Sequence, residues 1–233
     1  MAIGMRRLLT LGARTDAAEL LDSGRLSRSE VEANLADLAR LNRLPGGTDV
    51  SVRAIERLVG RGNDARILDV GTGAGDMPIA FAKRGWRVLA ADVNPDVLAV
   101  ADAALARVSG VELVEADVLA LPLDDGAVDV AHCSLLIHHL APEAAVKALA
   151  ELRRVSRRGV VVNDLRRGLL PLAATWVSVI AIGRSHVTRV DGVISARNSY
   201  TLNELDEVLA EAGLTPRWRS TGWLPRVVTA ATA

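Results

Sequence analysis

Three glycines at alternate positions, Gly71, Gly73 and Gly75, sit in the stretch Ile67-Leu68-Asp69-Val70-Gly71-Thr72-Gly73-Ala74-Gly75-Asp76. A short apolar run precedes them and a helix-compatible run follows. Glycine at such a junction permits a tight turn and lets a ligand approach backbone amides. Asp92 comes 21 residues after Gly71, at the end of the next apolar run. A carboxylate there can accept hydrogen bonds from the two hydroxyls of a ribose. A dinucleotide loop needs Gly or Ala at position 76 to admit a pyrophosphate, and this chain has Asp76. The spacing therefore favours a ligand without phosphates.

A second group with chemical potential is His138-His139, just beyond the apolar run Val128 to Ser134. A neutral imidazole, with a usual pKa of about 6.5, can take a proton from a hydroxyl, and His139 is the preferred candidate. A helix-start residue bonded to backbone is the plainer alternative for either. Cys133 and Ser134, at the carboxyl end of that run, should lie near the ligand, because ligands bind beyond the carboxyl ends of parallel strands. A third group is the stretch from His186 to Arg197, which sets His186, Asp191, Ser195 and Arg197 around Gly192 in a polar, arginine-containing loop. Trp176 lies in the apolar run Leu169 to Ile182, which is expected to be a pocket wall, a dimer contact or core.

The elements that must hold these residues follow from periodicity. Up to residue 60 the chain reads as helices, with a capping box at Ser27-Arg28-Ser29-Glu30. From Ala65 it alternates between strand and helix. Strands are expected at Arg66–Val70, Arg87–Ala91, Val111–Glu115, Val128–Ser134 and Gly159–Val162. Asn94-Pro95 and Pro142 open helices. Residues 166–200 interrupt the alternation as an insertion. Thr201-Leu202-Asn203-Glu204 is a second capping box, and two strands, Leu214–Ser220 and Val227–Ala231, close the chain. The pattern implies an α/β doubly wound, Rossmann-like, mainly parallel sheet with one antiparallel member. Residues 1–60 form an N-terminal helical cap segment and 61–233 the ligand-binding domain, one structural domain overall. The two irregular segments, 1–60 and 166–200, should meet as a cap over strands one, four and five.

The glycine stretch resembles the first motif of class I S-adenosylmethionine-dependent methyltransferases. The subgroup is that of ubiquinone and menaquinone biosynthesis and other small-molecule methyltransferases. Ala91-Asp92-Val93-Asn94, Glu115-Ala116-Asp117-Val118, and Leu121-Pro122-Leu123 before Val128-Asp129-Val130 agree with it. The resemblance covers residues 65–164 well and the closing strands loosely. It implies a seven-stranded sheet in the order 3-2-1-4-5-7-6 and S-adenosylmethionine as cofactor. Asp69, Gly71, Thr72, Gly73 and Gly75 would face its methionine end and Asp92 its ribose. Val93 would pack on the adenine, and Asp117 and the amide of Val118 would meet its edge.

Composition narrows the partners. Basic and acidic residues number 28 each, without the basic surplus that phosphate neutralisation favours. That points to a small-molecule acceptor rather than nucleic acid, and strand four lacks the Asn/Asp-Pro-Pro-Tyr pattern that holds amino groups of bases. A phenol, quinol or polyketide-like acceptor fits best. Cys133 is the single cysteine, which excludes an intrachain disulfide and a cysteine-held metal, and no metal is assigned. The apolar run Leu8–Leu11 is too short for a signal peptide, and Leu169–Ile182 too short to span a bilayer, so a cytoplasmic location without stable membrane insertion is expected, with a homodimer an option. Two rivals remain: an NAD(P)-dependent oxidoreductase, disfavoured by Asp76 and the lack of a Tyr-x-x-x-Lys pair, and a non-catalytic cofactor-binding accessory protein, which an occluded acceptor pocket would betray.

Overall fold

The computed structural model describes residues 14–45, 47–60, 64–221 and 225–233. The first thirteen residues of the expected cap, and the Leu8–Leu11 run, lie outside the described residues. Five parallel strands, β1 (Arg66–Val70), β2 (Arg87–Asp92), β3 (Val111–Glu115), β4 (Val128–Ser134) and β5 (Ser156–Leu165), are joined by β6 (Thr215–Ser220) and β7 (Arg226–Thr232). The order is β3-β2-β1-β4-β5-β7-β6, with β7 antiparallel to both neighbours. β1 and β4 are buried along nearly their whole length. That is why they read as almost unbroken apolar runs rather than as alternation.

Helices cover both faces. On one side α2 (Thr48–Val59) and α3 (Asp76–Ala82) bury Ile55, Val59, Met77 and Phe81 against Ile67, Val88 and Val130. On the other, α5 (Pro142–Val155) and α8 (Leu202–Glu211) bury Leu149, Leu152, Leu205 and Leu209 against Leu68, Ala131 and Val160. Local signals place the helix starts. The Asn94 side chain accepts from the amides of Asp96 and Val97 at the start of α4 (Pro95–Leu105), and Thr201 and Glu204 form the capping box of α8.

The remaining helices, α1 (Arg28–Leu41), α6 (Leu169–Ile182) and α7 (His186–Asn198), form a cap. Asn34 on α1 donates to Thr188 Oγ1 on α7 at 3.1 Å. Asp37 accepts from the amides of Arg184 and Ser185 at 2.8 and 2.7 Å, closing the turn between α6 and α7. Two expectations are corrected here. The segment His186–Arg197 is a helix, not a polar loop. Ser185 caps its start, and Gly192 allows its backbone to lie against α6, where a β-carbon would stand 2.6 Å from Val179. Strand β5 also runs beyond Val162, and its extension carries Asn163 and Asp164 toward the cap.

Candidate functional site

A cavity of about 540 Å³ opens beyond the carboxyl ends of β1, β2 and β4 and runs under the cap. The glycine loop forms its floor. Gly71, Gly73 and Gly75 have φ of 70°, 56° and 79°, a left-handed conformation that side chains resist. Gly71 and Gly73 line the cavity, whereas Gly75 caps α3 and backs onto Leu105. Asp69 is buried beneath the loop and does not line the cavity. It accepts from Thr72 Oγ1 at 2.9 Å and meets Nδ1 of the fully buried His132 at 2.6 Å. Its place is that of a support, holding the loop from below.

Asp92 lines the cavity, half-buried, and accepts from the amides of Gly73 at 3.3 Å and Asn94 at 3.1 Å. Burial raises its carboxyl above the usual range, with those amides offsetting part of the cost. Such a group gains from further donors, since a buried acceptor short of partners carries a desolvation penalty. Val93, 63% exposed, gives the cavity an apolar face beside it. Asp117 and Val118 line the same arm. One Asp117 oxygen accepts from the Leu119 amide at 2.9 Å, leaving the other for a donor. Ser134 also lines the cavity. Cys133 does not: it points into the core, and burial pushes its thiol pKa well up. Strand alternation decides the matter, because neighbours on β4 face opposite ways. The next residue, Leu135, is at φ 54°, a strained conformation costing about 1–3 kcal/mol that folds keep at functional positions.

The cap arm holds the histidines. His138 is 2% exposed. Its Nδ1 meets Asp164 at 2.6 Å, its amide donates to the same carboxylate at 3.1 Å, and its Nε2 faces Glu19 at 3.5 Å. Burial disfavours its charge, but the Asp164 and Glu19 carboxylates override that and raise its pKa to about 10. Both ring nitrogens of His138 are thus directed at carboxylates, an arrangement that favours its charged form. His139 stacks on it at 4.3 Å and presents Nδ1 to Asp22 at 2.8 Å. That contact holds the Asp22 carboxyl below its ordinary range.

Residues 67–159 match the family described as methyltransferase domain. The chain is 36% identical over 138 residues to a malonyl-[acyl-carrier protein] O-methyltransferase of Serratia marcescens, covering 57% of this chain and 51% of that protein. It is 42% identical over 97 residues to a demethylmenaquinone methyltransferase of Thermus thermophilus, covering 40% and 43%. The chain spans about half the length of the curated relatives it matches. Its fold is that of an S-adenosylmethionine-dependent methyltransferase from Aquifex aeolicus, with TM-score 0.64 at 20% identity, covering 90% of this chain and 100% of that one.

The matched methyltransferase domain runs from β1 to the start of β5. It includes the glycine loop, Asp92, Asp117 and both histidines, but not Glu19, Asp164, Asp191 or Arg226. Glu19, Asp191 and Arg226 line the same cavity from outside the match, and Asp164 stands behind it, bonded to His138. Sequence reasoning missed a buried polar chain behind it. His132 Nε2 meets Ser51 Oγ, which accepts from Asn163 Nδ2, each at 2.9 Å. Arg226 donates to Asn163 Oδ1 and Asn42 Oδ1, and Asn42 donates to Asp76 at 2.9 Å. Burial brings the Arg226 pKa down to about 10, with Asp164 and Asp76 resisting. Burial likewise raises Asp76, partly offset by Asn42. The only sequence signal was negative: charged residues inside otherwise apolar strands, which need partners when buried.

Of the residues proposed for the acceptor, Asp191 lines the cavity, accepting from the amides of Leu20 and Leu21 at 2.8 and 3.1 Å. Trp176, His186 and Arg197 do not. Trp176 is 55% exposed on the outer face of α6, and His186 and Arg197 are exposed on α7. The inner face of α6 instead offers Thr175, Ser178 and Val179.

Proposed function

We propose that this chain is an S-adenosylmethionine-dependent methyltransferase acting on a small, largely apolar acceptor that bears a hydroxyl, of phenol or quinol type. One observation carries the reading. A single cavity joins the glycine-loop arm, with Asp92, to an apolar arm under the cap lined by Leu35, Leu38, Leu41, Met77 and Val179. The cofactor supplies an electrophilic methyl group on a sulfonium. Asp92 would accept from its ribose hydroxyls, Val93 would pack on its adenine, and Asp117 and the Val118 amide would meet the adenine edge. Asp69 and Thr72 would act through the loop that they hold in shape.

The apolar walls exclude water and restrict the acceptor to an orientation in line with the transferred methyl, which can account for much of the rate. His138 keeps its proton and serves as a fixed cation between Asp164 and Glu19. His139, with Nδ1 toward Asp22, would take the acceptor's proton through Nε2. Carboxylates crowd this end of the cavity, so a neutral hydroxyl suits it better than an anionic acceptor. The balance of 28 basic and 28 acidic residues gives no surplus for a phosphate backbone, and among the described residues no helix is long and apolar enough to cross a membrane. Both fit an enzyme acting on small molecules in the cytoplasm.

Isothermal titration tests the donor half: S-adenosylmethionine and its demethylated product bind and NAD does not. NAD binding without a product signal would overturn the reading. Methyl transfer to a panel of phenols, quinols and polyketide-like acids tests the acceptor half.

A further inference from the structure

Glu19, His138 and His139 come together from distant parts of the chain at the wall of the cap arm, each offering one ligand atom, all within 4.8 Å of one another. We infer that these three side chains form a site for one divalent transition-metal cation of zinc type, open toward the acceptor. This rests on the reading of the cavity as an acceptor pocket only for what the cation would do there.

The distances to Glu19 leave room for a shared cation. Glu19 Oε1 stands 3.5 Å from His138 Nε2 and 3.9 Å from His139 Nδ1. Both are longer than an N–H···O bond of about 2.9 Å. With metal–ligand bonds of about 2.1 Å, ligand atoms at tetrahedral angles stand about 3.4 Å apart. Two imidazoles and one carboxylate, with further positions facing a cavity, is the ligand set of an open rather than a closed zinc-type site.

The surroundings hold these atoms in place. Asp164 occupies His138 Nδ1 at 2.6 Å, which turns Nε2 toward Glu19. This is the carboxylate–histidine arrangement that orients metal ligands. Ser195 Oγ donates to Glu19 Oε1 at 2.7 Å, and Asp191 fixes the amides of Leu20 and Leu21, next to Glu19. Asp22, 2.8 Å from His139 Nδ1, would give up that hydrogen bond to the cation and could then serve as a fourth ligand. The cluster gathers Glu19, Asp22, Asp164 and Asp191 around two imidazoles, so negative charge is in excess. A dication would replace the proton on His138 and answer more of that charge. It would also bind an acceptor oxygen and favour its deprotonated form. With the cation bound, His139 is a ligand and not the base. Imidazole ligands select zinc-type ions over magnesium, which prefers oxygen.

The test uses the tag-free full chain, stripped with chelator, and titrated with Co²⁺ while visible absorption is read. The expected result is one equivalent bound, with bands of a four- or five-coordinate site that Zn²⁺ abolishes and excess Mg²⁺ does not. Glu19→Gln and His139→Gln should each weaken binding at least about tenfold, and Asp164→Asn about 10- to 100-fold. Titration of the demethylated cofactor product into the same samples separates the two readings and shows that the variants are folded. If the product binds and Co²⁺ gives no such bands, or the Glu19 and His139 variants bind Co²⁺ as the wild type does, the metal site is overturned. If Co²⁺ binds as described and the product does not, the site stands and the donor reading falls.

Discussion

The two arms of the cavity are assembled in different ways. In the glycine-loop arm, residues close in sequence do the work. Thr72 bonds Asp69 three positions away, and Gly73 bonds Asp92 nineteen positions away. In the cap arm the contacts span most of the chain: 154 positions from Asn34 to Thr188 and 171 from Leu20 to Asp191. The first arm is rigid because strands and a left-handed glycine turn fix it. The second depends on loops and helix ends held by individual hydrogen bonds, each worth about 1 kcal/mol net. Damage to the first should therefore strike folding and cofactor binding, and damage to the second should strike the acceptor.

The largest effect is expected at Asp69. Asp69→Ala leaves His132 and Thr72 without their shared acceptor in a fully buried place, and each buried polar group so left unsatisfied costs about 1–3 kcal/mol. The urea midpoint should fall accordingly and the glycine loop should lose its affinity for the cofactor product. A near-normal midpoint would show that the loop needs no support from below. Asp92→Ala should spare the fold but lose bonds worth about 1.5–3 kcal/mol to ribose hydroxyls, a drop of at least about tenfold in affinity. Acceptor KM should hardly move. Equal affinity for the product would place the ribose elsewhere.

In the cap arm, the charge on His138 ties stability to pH. Its folded pKa is raised from 6.5 to about 10. The stability it contributes is fully present below about 6.5 and is lost as pH rises through about 10. Urea midpoints of metal-free protein should fall across that window, more steeply than those of His138→Gln. Parallel slopes would mean that His138 is neutral in the folded state.

The same contrast governs what the sequence disclosed. Gly71, Gly73, Gly75 and Asp92 were legible because the glycines must adopt positive φ and the Asp must end a strand, both local requirements. The sheet order was legible through the resemblance and the strand–helix alternation. Helix α7 was not, because Val187, Thr188, Val190, Gly192 and Val193 are poor helix formers and the segment is helical only where it packs on α6 and α1. The polar chain from His132 to Arg226 was also hidden, since its partners come from four separate elements. Cys133 was misplaced by one step of strand alternation.

The smallest effect is expected at Trp176, and it bears on where the cap arm ends. An aromatic residue in an apolar helix of the insertion invites assignment to a pocket wall. In the fold, α6 turns Thr175, Ser178 and Val179 inward and leaves Trp176 outside with Leu169, Leu170, Val177 and Ile180. Its ring is more than half exposed, so truncation removes little buried area, and surface changes usually stay within about 0.5 kcal/mol. Trp176→Ala should leave the urea midpoint, product affinity and acceptor KM close to wild type. Val179→Ala, one turn further along on the inner face, should raise acceptor KM several-fold by opening the wall. The pair isolates the face of one helix. If Trp176→Ala raised KM and Val179→Ala did not, the acceptor would approach over the outside of α6, and the cavity under the cap would serve the cofactor alone.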